Sequence, residues 1–173
     1  MARQLWLLRH AEAEPHSTRR DSERRLTERG ERQARAAGVA LAWLGVSFDE
    51  VLFSPKVRAR QTAELAAEAW SPEQRMRLRE HPPLAGGFDA RQALEALAAV
   101  PGDGCLLLVG HEPDLSSVAG AFTGARLDLK KGGVAAVRLE GAGGELVLLM
   151  RPRELFLIAD TAVGAAGSPV GRD

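Results

Sequence analysis

An excess of charge of either sign is missing from this sequence: 23 Lys and Arg are cancelled by 23 Asp and Glu in 173 residues. No global field therefore recommends nucleic acid or an anionic membrane as the main partner, and any affinity for phosphate has to be local. Cysteine is nearly missing too. The one thiol, Cys105, sits inside the apolar run CLLLVG, which excludes an internal disulfide and reads as a small core residue rather than a nucleophile. Long apolar runs are absent: none could span a bilayer, and the four apolar residues after Met1-Ala2-Arg3-Gln4 are too few for a secretory leader, so the expectation is a cytoplasmic protein. There is no Walker-type Gly-Lys loop, no GxSxG elbow and no internal repeat, which disfavours kinase and serine-hydrolase readings.

What is present alternates. Short apolar runs (QLWLLR, VLFS, MRLR, CLLLVG) are separated by helical patterns over 27–44, 56–70, 89–100 and 113–122, the pattern of βαβ units around a parallel sheet. LWLL and CLLLV are continuously apolar, as expected of central strands covered on both faces. VAAVRL and ELVLLMR, joined by the glycine-bearing EGAGG, predict an antiparallel hairpin at the C-terminal end. The expected fold is a three-layer α/β/α sandwich with a mostly parallel sheet and an antiparallel C-terminal strand pair. One catalytic domain is expected over 1–160, with 161–173, small and aperiodic, read as a disordered tail.

Ligands of open α/β sheets bind beyond the carboxyl ends of the strands, and two histidines stand there: His10 after LWLLR and His111 after CLLLVG. A lone histidine could merely cap an edge; two at matching strand ends, one preceded by Arg9, point to a site. FSPKVRARQTAE places Arg58 in the first turn of a helix, where N–H groups and guanidinium both face an anion. Arg9, Arg58, His10 and His111 would then surround one phosphoryl group. Most of the run from Arg19 to Arg35, with its seven arginines and four acids, reads as a solvated helix face, with Thr27 as the helix N-cap and Glu28/Arg32 and Glu31/Arg35 as surface pairs.

LLRHAEAEP, RRLTERGERQA, FSPKVRARQTAE and LLVGHEPDLS resemble, in order and spacing, the blocks of the histidine phosphatase superfamily, which contains phosphoglycerate mutase and the acid phosphatases. The resemblance spans about residues 3 to 160, and LKKGGVAAVRLEG looks most like the small SixA-type phosphohistidine phosphatase branch. It implies that His10 is a transiently phosphorylated nucleophile, and that Arg9, Arg58 and His111 hold the phosphoryl oxygens. Ala11 stands where many members have glycine.

Phosphoryl transfer needs in-line placement and neutralised oxygen charge, so neither a metal nor another cofactor is expected. The favoured substrate is phosphohistidine on a protein, whose imidazole leaving group is protonated near pH 6.5 and leaves with little help. The alternatives are a small-molecule phosphomonoesterase or mutase of the same family, and a phosphate-binding module without turnover. The resemblance implies a general acid after the third strand in many members, though not in the SixA type, and Glu80, in LRE, is the candidate for it here, or else a solvated strand-end carboxylate. His16 and His81 lie in loops without paired partners. Glu12, Glu14 and His16, with Glu112 and Asp114, could suggest a metal phosphoesterase, but they lack zinc-type spacing and sit among arginines that repel a cation. No oligomeric state follows from the sequence.

Overall fold

Six strands and six α-helices, besides two short 3-10 turns, follow one another in the computed structural model, which describes residues 2–141 and 143–167. The strands and α-helices are β1 (Arg3–Arg9), α1 (Glu28–Trp43), β2 (Glu50–Phe53), α2 (Val57–Ala67), α3 (Pro72–Arg75), β3 (Leu78–Glu80), α4 (Ala90–Ala98), β4 (Cys105–Gly110), α5 (Asp114–Thr123), β5 (Val134–Glu140), β6 (Gly143–Met150) and α6 (Pro152–Gly167). Six strands form one sheet in the order β3-β2-β4-β1-β5-β6. β3, β2, β4 and β1 are mutually parallel, and β5 and β6 run antiparallel to their neighbours.

The two continuously apolar strands are the two central ones, and their side chains divide by parity. Trp6, Leu8, Leu107 and Val109 join the layer made by α1, α2 and Leu155 of α6. Leu5, Leu7, Leu106 and Leu108 join the layer made by α4 and α5. Burial on both faces explains why neither strand alternates. Each fully buried leucine contributes about 2 kcal/mol of transfer free energy.

Small residues set the helix spacing. A Cβ built on Gly38 would lie 1.9 Å from the Ala66 carbonyl oxygen, so α1 and α2 touch backbone to backbone there. Gly30 does the same for the loop beyond β1: its Cβ would sit 1.9 Å from the Glu12 carbonyl oxygen. Thr27 caps α1, its hydroxyl accepting from Gly30 N at 3.1 Å.

Three expectations need correction. Residues 161–167, expected in the disordered tail, belong to helix α6, and Ala162 is buried; packing against α1 supplies what the small, aperiodic sequence does not advertise. Residues 168–173 of that tail lie outside the described residues. The third strand is Leu78–Glu80 rather than MRLR, because α3 and its cap occupy the chain up to Met76. Arg24 of the supposedly solvated run is buried, tied to Asp21 and to the Glu14 carbonyl. Among the described residues, no helix is long and apolar enough to cross a membrane.

Candidate active site

Parallel register brings the two histidines together. Arg9 pairs with Gly110 across β1 and β4, so His10 and His111 leave adjacent strands at the same height, His10 N donating to Gly110 O at 2.9 Å. Their ring centroids are 5.2 Å apart, and both residues are buried. The neighbouring β2 delivers Ser54 to the same edge, where its hydroxyl lies 2.7 Å from His111 Nε2. In the first turn of α2, the guanidinium of Arg58 reaches His10, with Nε 3.4 Å from His10 Nε2.

These contacts define a tautomer. His10 Nδ1 lies 2.8 Å from the Ala11 carbonyl, which can only accept, so Nδ1 carries the proton and Nε2 presents a lone pair. Burial, reinforced by the charges of Arg58 and Arg9 and by His111, lowers the pKa of His10 to about 3. Burial likewise brings His111 to about 3, with Arg58 and Lys56 adding to the shift. Both imidazoles are therefore neutral across the physiological range. The loop carrying Ala11 is fixed from two helices: Ala11 N donates to the Thr62 hydroxyl at 3.1 Å, and Glu12 N donates to Gln33 Oε1 at 2.9 Å.

Arg58 is a buried cation with one aspartate for company. Its Nη1 donates to the Asp21 backbone carbonyl at 2.6 Å, and Nη2 lies 3.3 Å from Asp21 Oδ2. The same carboxylate accepts from Lys56 Nζ at 2.8 Å and from Arg24 Nη2 at 2.9 Å. Those hydrogen bonds, Lys56 first, hold Asp21 well below the usual carboxylate range. Three cations on one carboxylate leave a surplus of positive charge, and the Nε edge of Arg58 stays turned towards His10. Burial pulls the guanidinium pKa down while Asp21 opposes the shift.

Among the described residues, two buried nitrogens at this edge have no hydrogen-bond partner: His111 Nδ1 and Arg9 Nε. Buried polar groups are nearly always paired, and these two belong to residues in ring contact with His10 or next to it in the chain. Arg9 Nε is a free donor, and His111 Nδ1 becomes one when His111 Nε2 accepts from the Ser54 hydroxyl; with the surplus cations and a neutral imidazole, this arrangement is suited to an anion that a lone pair can attack.

The other sequence candidates have different partners, although His16 lies 3.7 Å from Asp21. Glu80 is exposed and bonded to Arg60 Nη2 at 2.7 Å. His81 stacks edge-on against Phe88, and His16 is an exposed neighbour of Asp21. Glu12 meets Thr27, Glu14 pairs with Arg19, Glu112 accepts from Ser116 N, and Asp114 accepts from Phe88 N. Among the described residues, no group of three or more His, Cys, Asp or Glu is placed to hold a metal ion.

The family model for the histidine phosphatase superfamily (branch 1) matches residues 5–83, the stretch carrying His10, Ser54 and Arg58. An uncharacterized protein of Picosynechococcus sp. is 35% identical over 166 residues, covering 90% of this chain and 94% of its own. The chain belongs to the histidine phosphatase superfamily. A candidate phosphohistidine phosphatase SixA of Nakamurella multipartitia superposes with a TM-score of 0.74 at 30% identity, over 88% of this chain and 97% of that one. The protein histidine phosphatase SixA complexed with tungstate gives 0.75 at 25% identity, over 88% and 99%. Within the superfamily the chain is thus of the SixA type.

For a histidine phosphatase, sequence reasoning overlooked several residues around His10. Ser54 could have been found by the signal that flagged the histidines, since it too follows an apolar strand directly. Asp21 was hidden in a run of arginines, though a carboxylate flanked by Arg19, Arg20, Arg24 and Arg25 is conspicuous by its sign. Gln33, Lys56 and Thr62 carried no signal, because their roles depend on which backbone amide or carboxylate the fold sets opposite them.

Proposed function

We propose that this histidine phosphatase cleaves phosphoryl groups through a covalent intermediate on His10, without metal or cofactor, in a single catalytic domain that continues through α6. The observation that supports this is the tautomer: Nδ1 is held at the Ala11 carbonyl, and the Nε2 lone pair faces the Arg58 Nε–H, where a phosphoryl oxygen would also be drawn. In the first step Nε2 attacks phosphorus, the bond to the leaving group breaks with its electrons going to the leaving atom, and that atom takes a proton from solvent water. In the second, a water oxygen attacks the same phosphorus, the P–N bond returns its electrons to His10, and the water proton ends on released phosphate. Arg58 and Arg9 neutralise the charge spread over the equatorial oxygens, and the neutral His111 ring, with Nε2 accepting from the Ser54 hydroxyl, offers its Nδ1–H to one of them.

The favoured substrate is phosphohistidine on a protein. Glu80, the one candidate general acid, is exposed and occupied by Arg60, which suits a leaving group that needs no strong acid. A phosphate-binding module without turnover would have no use for an imidazole held with Nε2 unprotonated; another arginine would bind as well. Turnover of a phosphohistidine protein, a phosphoserine peptide and an aryl phosphate under identical conditions tests the reading, with chelator present throughout. The phosphohistidine protein should be cleaved fastest, and His10→Ala should abolish all three activities and the acid-labile phosphate trapped on the enzyme. Faster cleavage of the phosphoserine peptide would overturn the substrate. Turnover by His10→Ala above a few per cent of the parent would overturn the nucleophile.

A further inference from the structure

A second concentration of positive charge lies on the β1–β5 side of His10, away from Ser54 and His111. An open cleft of about 480 Å³ is lined by Arg9, Arg29, Gln33, Lys130, Lys131, Arg151, Pro152 and Arg153, six of them basic. In a chain of zero net charge this is a marked segregation. Its walls come from separate parts of the fold: the end of β1, the start of α1, the turn before β5 and the start of α6. Arg9 ties the cleft to the active site, since its Nη1 donates to the Leu129 carbonyl at 2.9 Å while its charge still acts on His10. The turn is bolted down by Gly132 N, which donates to the carbonyls of both Arg9 and His10 at 3.1 Å.

We propose that this cleft docks a run of carboxylates on an acidic protein substrate, beside the phosphorylated residue presented to His10; the inference rests on the phosphoprotein reading above. The cleft already receives carboxylates. Arg29 pairs with Glu12 at 3.7 Å, Arg151 with Glu154 at 2.7 Å, and Lys130 with Asp128. These are exposed pairs, individually weak and readily exchanged for carboxylates of a partner. Lys131 and Arg153 form no ion pair among the described residues, so six cations face three acids. A compact anion would be gripped by converging, buried donors, as at His10. Here the side chains of Arg29, Lys130 and Arg151 are 68%, 55% and 61% exposed and come from different walls, an arrangement suited to an extended anion. The gain is in orientation and encounter rate, because complementary charge steers association.

Fluorescein-labelled hexaglutamate, followed by anisotropy at low ionic strength, is the direct probe. The double variant Lys131→Glu/Arg153→Glu should bind it about tenfold more weakly than the parent, Lys131→Gln/Arg153→Gln should fall between, and added salt should erase the difference. Both variants should keep parental kcat/KM on an aryl phosphate, which also certifies their folding. On phosphohistidine peptides, the charge-reversed variant should raise KM for acid-flanked substrate and leave neutral-flanked substrate unchanged. Equal hexaglutamate binding by parent and variants would overturn the proposal, as would displacement of the probe by inorganic pyrophosphate at lower concentration than unlabelled hexaglutamate, which would make the cleft a small-anion site. If hexaglutamate binding depends on the cleft but the parent cleaves no phosphohistidine peptide, the substrate reading fails and the docking surface stands. If acid- and neutral-flanked peptides are cleaved alike by parent and variants, the docking surface fails and the substrate reading stands.

Discussion

Replacing Arg58 by lysine separates charge from geometry at the centre of the site. The guanidinium serves three directions at once: Nε towards His10 Nε2, Nη1 to the Asp21 carbonyl and Nη2 to the Asp21 carboxylate. A lysine amine is one nitrogen on a flexible stem. With Lys56 and Arg24 already on Asp21, the aspartate would draw that amine outwards and away from the phosphoryl group. Loss of one preorganised donor to a transferring group costs about 3 kcal/mol, or roughly 10²-fold in rate. Arg58→Ala should lose that much in kcat/KM on an aryl phosphate, and Arg58→Lys should recover only a small part, because a point charge does not replace the planar fork. Steady-state kinetics of both variants, with thermal melts to confirm folding, would measure it. Arg58→Lys activity above about a third of the parent, less than about 1 kcal/mol of loss, would refute the geometric reasoning and leave charge alone as the requirement.

Burial holds His10 and His111 near 3 against an ordinary 6.5. Between those values the unfolded chain binds protons that the folded one refuses, so stability should fall as pH drops through that window. Ring-nitrogen NMR should show both histidines neutral at about pH 5, and tungstate in the site should raise both values by placing negative charge beside them; titration of either free ring near 6.5 would contradict the buried site. Glu80→Gln should leave phosphohistidine hydrolysis within about threefold, against the 10²-fold or more expected for loss of a general acid; a larger loss would mean that Glu80 leaves Arg60 to protonate the substrate. Gly38→Ala should destabilise the fold by about 1–3 kcal/mol or more, because its methyl would meet the Ala66 carbonyl, a backbone atom that moves only with α2. A melt indistinguishable from the parent would show the two helices to be less tightly apposed.

The sequence by itself determined the alternation of strands and helices, the burial of the two central strands on both faces, and the ends at which His10 and His111 emerge. Those features rest on local periodicity and on the rule that parallel strands present their ligands beyond one edge. It also named Arg58, because a guanidinium in the first turn of a helix after a strand is well placed to meet an anion. Only the tertiary structure decided which neighbours those groups have. The aspartate that holds Arg58 comes from 37 residues earlier, the hydroxyl on His111 from 57 residues earlier, and neither pairing leaves a period or a spacing in the chain. Helix α6 was hidden for the same physical reason: its residues are small and its pattern weak, and it is held by the face of α1 laid against it. The cationic cleft is the clearest case, since residues 9, 29, 131 and 153 become one surface only when a strand, two helices and a turn converge.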